Sequence, residues 1–138
     1  MMLESHMAGL LDTQHSYPHS DIYDAIVRWK CRVVAAAGAD IEAGLGLYRT
    51  FRAAELPAPE MRMEAPVEGG ADSLIYRYMA ESIRSMLPMA ASHAIDGFGA
   101  DEVERLEVRL RDDVVASDGV LVCWPAVSGC CRLVGAES

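Results

Sequence analysis

Apolar positions recur along this chain with two periods, about three and a half and two, and the switches between them mark out its elements. Residues 1–6 are short, apolar and bounded by polar positions, which suits the tail of a strand. Residues 8–20, with Gly9, Asp12, Thr13, Ser16, Pro18 and His19, read as a loop. Ile22, Ile26, Trp29 and Val33 then form one helical stripe, which opens on Ser20 or Asp21 as N-cap and ends at Gly38. Asp40 can cap a second helix carrying Ile41, Leu45, Tyr48 and Phe51, closed by Pro57 and Pro59. Gly44 and Gly46 weaken that helix, each by about 1 kcal/mol relative to Ala.

Met61, Met63 and Ala65 alternate with Arg62 and Glu64, the pattern of a half-buried strand, which Pro66 and Gly69-Gly70 end. A third helix is predicted from about 72 to 87, with Ile75, Met79, Ser82, Ile83 and Met86 inward, until Pro88 interrupts it. Asp101 and Glu104 have capping-box spacing ahead of a fourth helix, whose stripe is Val103, Leu106, Leu110 and Val114. Beyond Asp118-Gly119, the β-rich runs 120–124 and 127–134 meet at Pro125, giving one bulged strand or two short ones. The order strand, helix, helix, strand, helix, helix, strand predicts an α/β sandwich with helices against a sheet.

Composition sharpens this picture only by exclusion. A chain of 138 residues, 51% hydrophobic and 24% charged, forms one domain large enough to fold without a metal or disulfide staple. Its net charge of −9 argues against nucleic acid or an anionic membrane as the main partner, since both are bound by neutralising phosphate with Lys and Arg. No apolar run is long enough to cross a membrane, and no basic and apolar leader opens the sequence, so a cytoplasmic location is expected. Cys31, Cys123, Cys130 and Cys131 lie in apolar segments with no CxxC pair, as packed reduced thiols would.

The stretch Phe51-Arg-Ala-Ala-Glu-Leu-Pro-Ala-Pro, the turn Gly69-Gly-Ala-Asp-Ser and the helix end Arg84-Ser-Met-Leu-Pro carry a family likeness. Together they resemble the C-terminal half of class I S-adenosylmethionine-dependent methyltransferases, in the bacterial small-molecule branch. The likeness extends back through the Val27-Arg-Trp helix and the Ala37-Gly-Ala-Asp turn, and forward through 109–111 to the turn at 114–120. It implies the closing part of a Rossmann-like sheet: about three strands, the last ones antiparallel, with about four helices. Residues 1–6 fall where the fifth strand would lie, 20–56 where lid and crossover helices would, and 57–138 where the final strands and helices would; 1–19 is then the strand end and a loop. Glu55 stands where the family has the glycine of Ala-Gly-Leu-Pro, which leaves that helix end without its usual left-handed residue.

The resemblance implies S-adenosylmethionine as cofactor and a small-molecule methyl acceptor, yet the glycine-rich turn that holds this cofactor has no counterpart here. Gly44-Leu-Gly46 lies within a helix pattern, and Gly97-Phe-Gly99 is not preceded by a strand. The chain alone is therefore expected to be inactive, and to need its missing N-terminal half or self-association to cover an open sheet edge. A truncated reading of a longer gene, or a non-catalytic binding and oligomerisation module, would look the same.

Candidate acceptor contacts follow from position. Glu4 and His6 are expected at the end of the first strand, where α/β folds bind ligands, with His6 the weak candidate for a catalytic base. Tyr23 and Trp29, with Tyr17, can line an apolar acceptor pocket. The plainer alternatives are that Glu4 and His6 are solvated residues of a chain terminus and that Trp29 is core. Pro18 between His15 and His19 opposes the helix that would make them a metal pair.

Overall fold

A computed structural model describes residues 1–133. Among these residues there are a short 3-10 turn at Met7–Leu10 and four α-helices: α1 (Asp21–Ala36), α2 (Ala43–Ala53), α3 (Ile75–Ser92) and α4 (Ala100–Ala116). Six short strands accompany them: β1 (Met2–Ser5), β2 (Ser16–Tyr17), β3 (Glu60–Glu64), β4 (Val67–Gly69), β5 (Val120–Val122) and β6 (Ala126–Cys130). The class is mixed α/β, as expected, but the strands form two three-stranded sheets where one of about three strands was expected. Their orders are β1-β6-β3 and β2-β5-β4, with antiparallel pairing throughout.

Two strands were missed in the sequence, β2 inside the 8–20 loop and β4 beyond Pro66. Each comprises two or three residues, too few for a readable period. Proline breaks the two long extended segments at matching places, Pro66 between β3 and β4 and Pro125 between β5 and β6. Each segment thus serves both sheets, and hydrogen bonds tie the crossing together: Cys123 N–H donates to Pro66 O and His6 N–H to Pro125 O, both at 2.9 Å. The 127–134 run yields only β6, and Val134 lies outside the described residues.

The core is the apolar space between α1, α3, α4 and the β2-β5-β4 sheet. Tyr23, Ile26, Val27 and Val33 of α1 meet Tyr76, Met79 and Ile83 of α3, Leu106 and Leu110 of α4, and Leu121 of β5. α2 covers one face of the other sheet against β1 and β6. Its buried positions are Gly44, Leu47 and Phe51, whereas Leu45 and Tyr48 are half exposed. Phe51 of the expected stripe is buried, but Leu45 and Tyr48 lie one residue out of phase because Gly44, not a large side chain, makes the close approach: a Cβ there would stand 2.7 Å from His6 Cβ and 2.8 Å from Val127 Cγ2.

Helix ends also depart from expectation in instructive ways. Ser20 does cap α1, its hydroxyl accepting from Tyr23 N–H. α3 runs through Pro88 to Ser92, although the missing N–H there forfeits a helical hydrogen bond. Packing outweighs that loss, since Ala90 is buried and Met86, Leu87 and Ile95 flank the core. α4 begins two residues early, with Gly99 as N-cap and its N–H donating to Glu102 Oε2 at 3.0 Å, so the expected Asp101–Glu104 box is not used. Cys31 and Cys123 are buried as expected, but Cys130 is exposed because it ends the outward-facing set of β6. No helix among the described residues is long and apolar enough to cross a membrane.

Candidate functional site

β1 and β3 both run against β6 and are therefore parallel to each other. Beyond their C-terminal ends lies a cavity of about 390 Å³. Ser5, the last residue of β1, and Pro66, just past β3, form one side, and Cys123 and Trp124 of the β5–β6 crossover form another. Tyr78, in the first turn of α3, and Glu68 of β4 complete it. The Glu68 carboxylate is fixed by Ser73, whose hydroxyl donates to it at 2.8 Å.

Behind the aromatic walls of this cavity sits Lys30, the single lysine of the chain. It is 4% exposed. Its Nζ donates to Ser82 Oγ at 2.5 Å and stands 5.1 Å from the Trp124 ring centroid and 5.5 Å from that of Tyr78. No carboxylate among the described residues forms an ion pair with it. Two π faces and one hydroxyl thus stabilise a buried ammonium without cancelling its charge. Burial lowers its pKa to about 8, opposed only in part by the neighbouring Cys31. Burial and the nearby Glu68 push the Cys123 thiol up to about 11, so it stays neutral and supplies no counter-charge. The indole Nε1–H of Trp124 is likewise buried with no acceptor.

The four residues expected to contact an acceptor do not converge on this cavity. Glu4 is exposed on β1, opposite Val127, with Ser5 rather than Glu4 reaching the cavity. His6 is not a solvated terminal residue: it is 6% exposed, wedged against Gly9 and Gly44, with Nδ1 lacking a hydrogen-bond partner. Tyr23 is fully buried in the core, donating its hydroxyl to Val122 O at 2.7 Å, and burial raises its pKa far above the ordinary phenol value. Trp29 packs edge to face on Phe98, with centroids 5.4 Å apart, and borders a separate cleft with Arg28, Arg32 and Arg109. Tyr17 is exposed.

His15 and His19 border one small cavity but take different partners. His15 is buried edge-on to Tyr23, with Nε2 3.2 Å from Asp24 Oδ1 at ion-pair distance, whereas exposed His19 pairs with Asp21 at 3.0 Å. Among the described residues no group of three or more His, Cys, Asp or Glu could hold a metal ion.

The described residues do not fit S-adenosylmethionine. Gly44 and Gly46 lie inside α2, and Gly97 and Gly99 lie between two helices. Gly69-Gly70 does link a strand to a helix, but a Cβ at Gly69 would come within 2.8 Å of Gly119 O, so that glycine serves strand packing. Comparison with family models, with curated proteins and with solved structures gives no match.

Proposed function

We propose that this chain is the acceptor-side portion of a class I S-adenosylmethionine-dependent methyltransferase, able to move a methyl group to a small molecule only when a cofactor-binding half completes it. One observation carries the reading. The segment that the family resemblance places at the fifth strand, β1, and two from the region it assigns to the final strands, β3 and β6, pair in a single sheet with β6 running antiparallel between the other two. The cavity beyond β1 and β3 is then the acceptor pocket, since α/β ligands bind past the carboxyl ends of parallel strands. Methyl transfer asks of such a pocket mainly that it hold the acceptor in line with the donor methyl.

Titration calorimetry of S-adenosylmethionine and S-adenosylhomocysteine into the purified chain tests this. No heat is expected from the chain alone, and methyl transfer is expected only with a partner polypeptide that carries a strand, a Gly-x-Gly-x-Gly turn and a helix. Micromolar cofactor binding or turnover by the chain alone would overturn the half-enzyme reading.

A second reading, a non-catalytic assembly module, is favoured by the free edge of β1. Among the described residues that strand pairs only with β6, and Met2 and Leu3 on it are 40% and 65% exposed. Light scattering separates the two: mass that rises with concentration while no cofactor half is recruited supports assembly, and a monomer at all concentrations opposes it.

A further inference from the structure

We infer that the cleft between α1 and α4 binds a small molecule with an apolar body and one oxyanion group, a carboxylate or a phosphate, which the arginines of the cleft wall hold. The cleft encloses about 500 Å³ and shares no lining residue with the cavity beyond β1 and β3. The inference therefore stands apart from the acceptor-pocket reading and needs no cofactor.

Two hydrogen bonds set the frame. The Ser20 hydroxyl donates to Asp113 Oδ2 at 2.6 Å, and Arg32 Nη2 donates to Asp96 O at 3.1 Å. The start of α1 thus lies by the far part of α4, and the last turns of α1 lie by the segment that leads into α4, so the two helices run antiparallel along the cleft. Arg28 and Arg32 stand on the cleft wall one turn apart on α1, and Arg109 stands on it from α4. Between them the wall is apolar, with Trp29, Phe98 and Leu106. The volume and this mixture of apolar wall and few polar groups are those of a small-molecule site.

The charges on that wall decide the head group. A guanidinium carries five N–H donors in a fork that matches a carboxylate or a phosphate. Arg28 commits its Nε to Asp24 Oδ2 at 2.9 Å. Arg32 meets only a neutral carbonyl, and among the described residues neither Arg32 nor Arg109 forms an ion pair. The two carboxylates on the wall each have a partner of their own: Glu102 Oε2 accepts from Gly99 N–H at 3.0 Å, and Asp21 pairs with His19 at 3.0 Å. Two guanidiniums without a carboxylate, flanking an apolar wall in a chain of net charge −9, ask for an anion that brings an apolar body with it.

The test titrates the intact chain with phenylacetate, its neutral counterpart phenylacetamide, and acetate, and in parallel with phenyl phosphate and inorganic phosphate. Calorimetry reads affinity. The chain has two tryptophans, so nitrogen-15 NMR shows two indole signals, assigned through the backbone, and these read location. At least one of the two aromatic anions is expected to bind about tenfold or more tightly than phenylacetamide and than its own head group alone, with the Trp29 signal moving and the Trp124 signal still; the tighter of the two names the head group. Replacing both exposed arginines, Arg32→Gln with Arg109→Gln, is expected to remove the preference over phenylacetamide, whereas Arg77→Gln, exposed on α3 outside the cleft, leaves it. No binding of either aromatic anion, affinity no greater than that of the neutral amide or of the bare head group, a shift confined to Trp124, or a preference unchanged in the double variant overturns the inference. The ligand comparisons need no variant, so a misfolded double variant leaves them decisive.

Discussion

At the scale of single residues, the side chain with the largest energetic consequence is Lys30. Its proton is held up to about pH 8 in the folded chain and up to about 10.5 in the unfolded one. Below pH 8 both states are protonated and the burial penalty is complete, roughly 3 kcal/mol from the separation of the two values. Between pH 8 and 10.5 the unfolded chain holds more protons, so this residue's penalty fades as pH rises. Cys31 and Cys123, whose pKa values are raised by burial, act in the opposite sense above pH 9. The comparison with Lys30→Met isolates the lysine: urea denaturation should find that variant more stable at pH 7 by about 1–3 kcal/mol, with the advantage shrinking toward pH 10. Lys30 stands four residues after Ile26 and three before Val33, inside the apolar stripe, and that spacing was the available signal. A lysine on such a stripe ordinarily snorkels to solvent, so its burial was not legible. Glu55 was legible. It takes the left-handed conformation, φ 58°, at the end of α2, where Leu56 N–H reaches back to Phe51 O. Glu55→Gly should therefore stabilise the fold by about 0.5–1 kcal/mol in the same denaturation experiment.

At the scale of elements, periodicity located all four helices, and its errors were errors of phase and of ends. The stripe of α2 was misplaced because large side chains define a hydrophobic pattern and glycines do not, yet Gly44 is the position that touches His6 and Val127. Two glycines two residues apart in one helix should consequently respond with opposite sign. Gly46 has nothing within 4 Å of an added Cβ, so Gly46→Ala should stabilise by about 0.5–1 kcal/mol; Gly44→Ala should destabilise by about 1–3 kcal/mol through overpacking. Thermal melts of the two variants check this directly. α3 teaches the same lesson at its far end: a proline that would stop an isolated helix is carried by the tertiary contacts of Ala90 and its neighbours. For the candidate site, Ser5 lay between the two residues singled out in β1, whereas Trp124, Tyr78 and Lys30 come from three distant elements. Only the folded crossing at Pro66 and Pro125 brings them together, and no local spacing encodes it.

At the scale of the whole molecule, the α/β class followed from the order of elements, but the division into two sheets did not, since Pro66, which reads as a strand end, and Pro125, which reads as a bulge or a break between two short strands, each join strands of different sheets. The exposed edge of β1 is the surface on which the assembly reading rests. Replacing Leu3, exposed there, by Lys should leave helix content unchanged and abolish any concentration-dependent rise in mass seen by light scattering.

That same strand pairs with one from the other end of the chain, Met2 opposite Gly129. During synthesis β1 emerges before every other described strand and β6 after them all, so β1 has no partner in its sheet until the segment through Cys130 has been made. Helices α1, α3 and α4 can gather beforehand around contacts closer in sequence, but the closing of the β1-β6-β3 sheet spans a loop of over a hundred residues and should come late and slowly. Through that interval Met2 and Leu3 remain uncovered on an unpaired apolar strand, which makes the yield of folded chain sensitive to how fast β6 follows β1.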